Sequence, residues 1–236
     1  TLILALAIPG VMAAIALTAA ILVPMAALLP LTAILTWEHA LVFGALVAAT
    51  DPIAVVGLFR SLGAPHRLAA LLEGESLLND GTSIVFFTLI LGVAAGASLS
   101  APGVILEFTR VVGLGAGTGF IVGLVISMVI QRIDDPMIEI TLTTIAAYGA
   151  FAGAEHFHGS GVIATVVAGM LCGNYGARTG MAPTTRVAVE TFWEYIAFAL
   201  NSIIFLLMGF EVSLPDLVVY WPLILPAFTA VLLGRS

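Results

Sequence analysis

The sequence predicts an all-α protein that crosses the membrane several times, as its composition and its long apolar runs indicate. Of 236 residues, 61% are hydrophobic and only 9% are charged, whereas soluble domains contain about 45–50% apolar and about 25% charged residues. The runs lack the alternation of apolar and polar residues that is typical of transmembrane barrels. The composition excludes a soluble enzyme. The basic residues, seven arginines and no lysine, are too few and too scattered for a nucleic-acid-binding surface.

Eight apolar runs approach the length of a membrane-spanning helix, which needs roughly 20 apolar residues. They cover residues 2–30, 38–60, 66–95, 103–131, 136–157, 160–176, 185–212 and 216–235. The segments between them contain Gly and Pro, which favour turns. In the fourth run, Gly115, Gly119 and Gly123 are spaced four residues apart and predict the close approach of another helix. Because the chain lacks an initiating Met and begins inside an apolar run, we expect an internal part of a larger membrane protein.

The arginines predict which loops face the cytoplasm. Successive loops between membrane helices lie on alternate sides, and cytoplasmic loops carry more Lys and Arg. Five of the seven arginines lie in or beside the second, fourth and sixth loops: Arg60, Arg67, Arg132, Arg178 and Arg186. The odd-numbered loops contain none, so we expect the even-numbered loops to be cytoplasmic.

Two carboxylates are predicted to lie near the middle of the membrane. Asp51 lies nine residues before Arg60, and Asp80 lies thirteen residues after Arg67. At a rise of 1.5 Å per residue, these acids lie about 14 and 20 Å from the same side of a hydrocarbon core of about 30 Å. A charge at that depth is costly, and ionisable residues inside membrane helices commonly mark ion pathways.

Asp51 is followed by Pro52, which predicts a broken helix at Thr50–Pro52. Proline has no N–H to donate, and its ring crowds the carbonyl four residues earlier. Broken helices at the middle of the membrane supply backbone oxygens to transported cations. The alternative is a simple proline kink in which Asp51 caps the freed N–H groups.

The third predicted helix carries further oxygen ligands. Ser76 and Asp80 are four residues apart and share one helix face, with Glu75 and Asn79 on the neighbouring stripe. The Ser76 hydroxyl, the Asp80 carboxylate and a freed carbonyl near Thr50 together predict a site for a monovalent cation. Loss of water around a carboxylate favours its protonated form, so we expect Asp80 to hold either a proton or a cation. The alternative is a structural network in which Asp80 only hydrogen-bonds its neighbours.

The motifs of these two helices resemble the NhaP/NHE branch of the monovalent cation/proton antiporters. The resemblance rests on Ala-Thr-Asp-Pro-Ile-Ala-Val-Val at residues 49–56, Gly-Ala-Pro at residues 63–65 and Leu-Glu-Gly-Glu-Ser-Leu-Leu-Asn-Asp-Gly at residues 72–81. Residues 160–164 and 192–205 resemble the same family.

This resemblance implies an architecture of about thirteen transmembrane helices in two inverted-topology repeats. A core domain would move against a dimerisation domain, and the full-length protein would be a homodimer. Residues 1–95 would end the first repeat, residues 96–133 would form a linker helix, and residues 134–236 would begin the second repeat.

The resemblance also implies roles for individual residues. Asp80 would be the carboxylate that takes the cation and the proton, with Ser76 and the Thr50 carbonyl as further ligands. Asp51 and Asn79 would form a pair that holds the unwound segment.

Glu75 is expected to have a buried partner, and Arg235 in the last apolar run is the candidate. The resemblance implies the same pair, although Arg235 could instead extend to the membrane surface. Asn79 bears on stoichiometry, because electrogenic relatives have a second Asp at that position. With one exchanging carboxylate, one proton replaces one cation, so we predict electroneutral exchange.

Together these features predict a sodium (or potassium)/proton antiporter that works by alternating access in a prokaryotic plasma membrane. No cofactor is expected beyond the transported Na⁺ or K⁺ and H⁺. One alternative is a cation channel lined by the same carboxylates. Another is an intramembrane aspartyl hydrolase that uses Asp51 and Asp80, which would leave Pro52 unexplained.

Overall fold

The computed structural model describes residues 6–28, 35–50, 52, 55, 57–59, 62, 63, 65–96, 101–177 and 180–234. Within these ranges the chain is almost entirely helical and contains no β-strand, which confirms the predicted all-α fold. The described α-helices are α1 (Val11–Leu28), α2 (Trp37–Leu46), α3 (His66–Ala94), α4 (Ala101–Ile130), α5 (Pro136–His156), α6 (Gly161–Leu171), α7 (Pro183–Glu211) and α8 (Leu214–Gly234). A turn of π-helix precedes α1 at Leu6–Gly10, and another follows α6 at Cys172–Gly176.

Six helices of the described part are long and apolar enough to cross a membrane. They are Ile8–Leu28, Leu71–Ala94, Pro102–Ile130, Pro136–His156, Pro183–Glu211 and Leu214–Gly234. The sixth predicted span is a shorter apolar helix, Gly161–Gly176. The second predicted span is interrupted, as the sequence predicted. The protein is therefore a polytopic integral membrane protein.

The interruption of the second span lies between α2 and a following helical segment. Val47 to Thr50 and Pro52 are not helical, whereas residues 55 and 57–59 are helical again. We call residues 47–52 the helix break; Asp51 lies outside the described residues. The predicted break at Thr50–Pro52 is thus confirmed, although α2 ends earlier, at Leu46.

The chain divides into two compact units. Unit 1 comprises Thr1–Arg110 and Tyr220–Ser236, and unit 2 comprises Val111–Val219, so the division falls within α4 and within α8. In unit 1, residues of α1, α2, α3, α8 and the start of the helix break form two clusters of buried apolar residues. One cluster contains Val11, Ile15, Ala45, Ala48 and Phe86, and the other contains Ala19, Leu22, Ala40 and Ala230. Small residues predominate at these contacts, which lets the helices approach closely.

In unit 2, α4 packs against α6 through the three glycines predicted to form a close contact. A Cβ atom on Gly115 would lie 2.5 Å from the Ser160 carbonyl oxygen, and one on Gly123 would lie 2.9 Å from Ala168 Cα. A Cβ on Gly119 would meet the backbone of Ala164 more closely still. These three glycines therefore allow the backbone of α4 to contact the backbone of α6 and of the residue before it directly, as the sequence predicted.

The starts of α5 and α6 are fixed by capping side chains. Asp135 Oδ1 accepts hydrogen bonds from the backbone N–H groups of Met137 (2.9 Å) and Ile138 (3.1 Å). Ser160 Oγ accepts one from the N–H of Ile163 (3.3 Å). Such side chains satisfy N–H groups that have no partner within the helix.

Candidate cation-binding site

The helix break frees a backbone carbonyl, that of Ala48, because Pro52 four residues later has no N–H to donate. Residues 47–50 leave the helical path within an apolar segment, where water is not at hand to satisfy freed backbone groups. Buried carbonyl and N–H groups are nearly always hydrogen-bonded in proteins. Side chains of α3 donate hydrogen bonds to the break.

Ser76 in α3 contacts the break directly. Its hydroxyl donates a hydrogen bond to the carbonyl oxygen of Thr50. Ser76 is buried, with 5% of its surface exposed, and Thr50 is half-buried. Two of the three oxygen ligands predicted from the sequence therefore lie together.

Asn79, one turn after Ser76, makes two further contacts with the break. Its Nδ2 donates to the Thr50 hydroxyl oxygen at 2.7 Å and to the Ala48 carbonyl oxygen at 3.4 Å. Asn79 is also 5% exposed. Both amide hydrogens are thus directed at the break, and Asn79 holds it at two points.

Two further hydroxyl groups of α3 donate hydrogen bonds to Asn79. Thr82 Oγ1 donates to the Asn79 carbonyl oxygen at 3.1 Å, and Ser83 Oγ donates to Asn79 Oδ1 at 3.0 Å. Both residues are buried. The sequence reasoning missed Ser83, although its spacing of four residues from Asn79 places the two side chains on one helix face.

The other predicted site residues are less enclosed or lie outside the described part. Asp80 is exposed, while Glu75 and Pro52 are half-buried. Asp51 and Arg235 lie outside the described residues, so the predicted pairs Asp51–Asn79 and Glu75–Arg235 stay predictions.

The groups gathered here can bind a hard cation. The Thr50 carbonyl, the Thr50 and Ser76 hydroxyls and the Ala48 carbonyl all present oxygen atoms. Hard cations take carbonyl, hydroxyl and carboxylate oxygens as ligands. Asp80, four residues after Ser76 on the same face of α3, is a nearby source of negative charge.

Comparisons with known proteins place the chain in a family. A family model described as "Sodium/hydrogen exchanger, transmembrane" matches residues 2–236. The chain is 47% identical over 197 residues to the low-affinity Na⁺/H⁺ antiporter NhaS1 of Synechocystis sp., covering 83% of this chain and 37% of that protein. It is 44% identical over 198 residues to the Na⁺/H⁺ antiporter ApNhaP of Aphanothece halophytica, covering 84% and 38%.

A third relative is the Na⁺/H⁺ antiporter NhaP of Pseudomonas aeruginosa. The chain is 40% identical to it over 177 residues, covering 75% of this chain and 42% of that protein. The chain therefore spans less than half the length of each of these three relatives.

Proposed function

Because the chain belongs to the sodium/hydrogen exchanger family, we propose that the full-length protein exchanges a sodium (or potassium) ion for a proton across a prokaryotic plasma membrane. The named relatives are Na⁺/H⁺ antiporters, and antiporters are secondary transporters, not enzymes. The observation that carries the proposal is the hydrogen bond from Ser76 to the Thr50 carbonyl. It joins a broken membrane helix to a residue that lies one helical turn before Asp80.

Ser76 and Thr50 can take a cation without losing their hydrogen bond. The Ser76 proton is donated to the Thr50 carbonyl, which leaves both lone pairs of Ser76 Oγ and one lone pair of the carbonyl oxygen. Asp80 completes the proposed site with a negative charge. Because one carboxylate holds either a proton or a cation, binding of one releases the other, and alternating access at a broken helix carries each across.

Asn79 supports the proposed electroneutral stoichiometry. Its amide is neutral, and its Nδ2 group already donates to Thr50 and Ala48, so it contributes structure and no charge. With Asp80 as the one exchanging carboxylate, one proton leaves for each cation that enters. A transport rate that changes with an imposed membrane potential, at fixed ion gradients, would contradict this stoichiometry.

The proposal extends to the organisation of the full-length protein. Residues 1–95 would end one repeat, residues 96–133 would link the repeats, and residues 134–236 would begin the other. The transporter would act as a homodimer in which a core domain moves against a dimerisation domain.

The test uses the full-length protein in liposomes that contain a pH-sensitive dye. Under an imposed proton gradient, added Na⁺ or K⁺ should change the internal pH of liposomes with the wild-type protein. Asp80→Asn should abolish the change, because an amide neither binds a proton nor neutralises a cation. Folded wild-type protein that gives no pH change with either cation would overturn the proposal. Ion flux at channel rates without proton movement would favour the channel alternative.

A further inference from the structure

The side-chain amide of Asn79 has a definite orientation at the helix break. Its Nδ2 group faces two acceptors, the Ala48 carbonyl oxygen at 3.4 Å and the Thr50 hydroxyl oxygen at 2.7 Å. An amide rotated by 180° has nearly the same shape but presents its oxygen in place of its nitrogen. That rotamer would set an oxygen against the Ala48 carbonyl oxygen, so the hydrogen bond to Ala48 would be lost, whereas the Thr50 hydroxyl would donate to the amide oxygen instead.

Ser83 holds the amide from the side opposite the break, while the Ala48 carbonyl, which only accepts, favours the orientation in which Nδ2 faces it. The Ser83 hydroxyl donates to Asn79 Oδ1 at 3.0 Å, so it stabilises the orientation in which Nδ2 faces the break. Ser83 is 2% exposed and Asn79 is 5% exposed, and water does not readily replace a hydrogen bond at such depth. An unsatisfied buried acceptor is costly, so the hydrogen bond from Ser83 stabilises the position of the Asn79 amide.

The direction in which Ser83 donates is unusual for a serine within a helix. A helical serine or threonine commonly donates to the backbone carbonyl three or four residues earlier. The carbonyl four residues before Ser83 is that of Asn79, and Thr82 Oγ1 donates to it at 3.1 Å. Ser83 donates instead to the side-chain oxygen of the same asparagine.

We infer that Ser83 is a positioning residue of the cation site, which acts through the Asn79 amide on the helix break. This inference rests on the proposed antiport. The chain of contacts runs from Ser83 to Asn79 and from Asn79 to Thr50, whose carbonyl oxygen accepts from Ser76. Ser83 therefore sets where the Thr50 oxygens lie without contacting the cation itself.

The inference predicts a specific kinetic change in the full-length transporter. Ser83→Ala removes the donor to Asn79 Oδ1, so the buried amide is less firmly held and the Thr50 oxygens are less well placed. The apparent KM for Na⁺ should rise about three- to tenfold, while the maximal rate changes less than twofold, because Asp80 is untouched. Ser83→Thr keeps a hydroxyl group and should restore most of the wild-type affinity.

Two further variants separate positioning from packing. Ser83→Cys keeps the volume but has only a weak S–H donor, so it should raise KM as Ser83→Ala does, even where the smaller residue impairs folding. Thr88→Ala is the matched control, since Thr88 is an exposed residue of the same helix and donates to the Ile84 carbonyl oxygen at 2.8 Å. It should leave KM unchanged.

The measurement is Na⁺-dependent proton movement in liposomes over a range of Na⁺ concentrations. A raised KM in Ser83→Ala and Ser83→Cys, with near-normal KM in Ser83→Thr and Thr88→Ala, supports the inference. Wild-type KM in Ser83→Ala and Ser83→Cys overturns the role of Ser83 and leaves the antiport intact. A KM raised as much in Ser83→Thr also overturns it, because packing would then be the cause. Absence of wild-type transport overturns the antiport and with it the role of Ser83.

Discussion

The helix break of unit 1 and the glycine contact of unit 2 hold helices together by different means. At the helix break of unit 1, polar side chains of α3 donate hydrogen bonds to the backbone carbonyl oxygens of Thr50 and Ala48. In unit 2, α4 and α6 meet backbone to backbone at glycines, with Gly119 against Ala164. Small residues suffice where regular helices need only to pack, whereas an interrupted helix needs side-chain hydrogen bonds. Substitutions in unit 2 should therefore change stability, and substitutions at the break should change cation binding.

The largest effect is expected at the glycine contact of unit 2. In Gly119→Ala, the added Cβ would collide with the backbone of Ala164, which cannot move aside as a side chain can. We expect the full-length protein to lose about 3 kcal/mol of stability, measured by unfolding of the purified protein. The matched control is Gly117→Ala, because a Cβ at Gly117 meets nothing within 4 Å. Equal stability of the two variants would contradict the packing described here.

Asn79→Ala should have the next largest effect, and it should lower both the stability of the protein and its cation transport. It removes the amide donor of the buried Ala48 carbonyl, which Pro52 cannot replace because it has no N–H, and a buried unsatisfied group costs about 1–3 kcal/mol. We expect a stability loss of about 2 kcal/mol together with loss of Na⁺-dependent proton movement. In the control Asn174→Ala, the amide is exposed and donates to Met170 O at 3.0 Å, so both properties should stay near wild type. Full transport by Asn79→Ala would show that the break does not need this amide.

Ser76→Ala should mainly change cation binding. The variant removes one proposed cation ligand and one hydrogen bond to Thr50, so the apparent KM for Na⁺ should rise about tenfold, equivalent to about 1.4 kcal/mol. Ser202→Ala is the control, since Ser202 is exposed and donates to the Phe198 carbonyl oxygen at 2.8 Å. The apparent KM of both variants is measured by following proton movement in liposomes over a range of Na⁺ concentrations. An unchanged KM in Ser76→Ala would remove Ser76 from the site.

The smallest effect is expected at a buried carboxylate of unit 2. Glu139 is 0% exposed, and neither of its carboxylate oxygens has a hydrogen-bond partner within the described part of the chain. Burial of a polar group without a partner is unfavourable, so Glu139→Leu should raise stability by about 1 kcal/mol. Glu107→Leu, at the exposed pair of Glu107 with Arg110, should change it by less than about 0.5 kcal/mol. A large loss of stability in Glu139→Leu would mean that the carboxylate makes a favourable interaction in the full-length protein.

The sequence was sufficient to predict features that depend on local chemistry. Pro52 predicts the break because a missing N–H disrupts a helix wherever it occurs, and the spacing of Gly115 and Gly123 predicts a close contact because it fixes a shared face. The end of α2 at Leu46 was not predicted, because it lies six residues before Pro52 and no Gly or Pro follows it directly to mark it.

The hydrogen-bond partners within the site also could not be predicted from the sequence. Spacing places Ser83 and Asn79 on one helix face, but it does not reveal that Ser83 donates to the side chain of Asn79 while Thr82 donates to its backbone. The burial of Glu139 likewise depends on how α5 packs, because a single glutamate near a helix start is ordinarily a surface residue.

The most direct test of the account is proton release on Na⁺ binding by the purified full-length protein in weakly buffered detergent solution. A carboxylate shared by a proton and a cation must lose the proton when the cation binds. At a pH low enough for Asp80 to carry a proton before Na⁺ is added, we predict that Na⁺ releases about one proton per protomer from the wild type. Ser76→Ala should need higher Na⁺ for the same release, and Asp80→Asn should release none. Equal release from the wild type and Asp80→Asn would contradict the central claim that cation and proton compete for Asp80 beside the helix break.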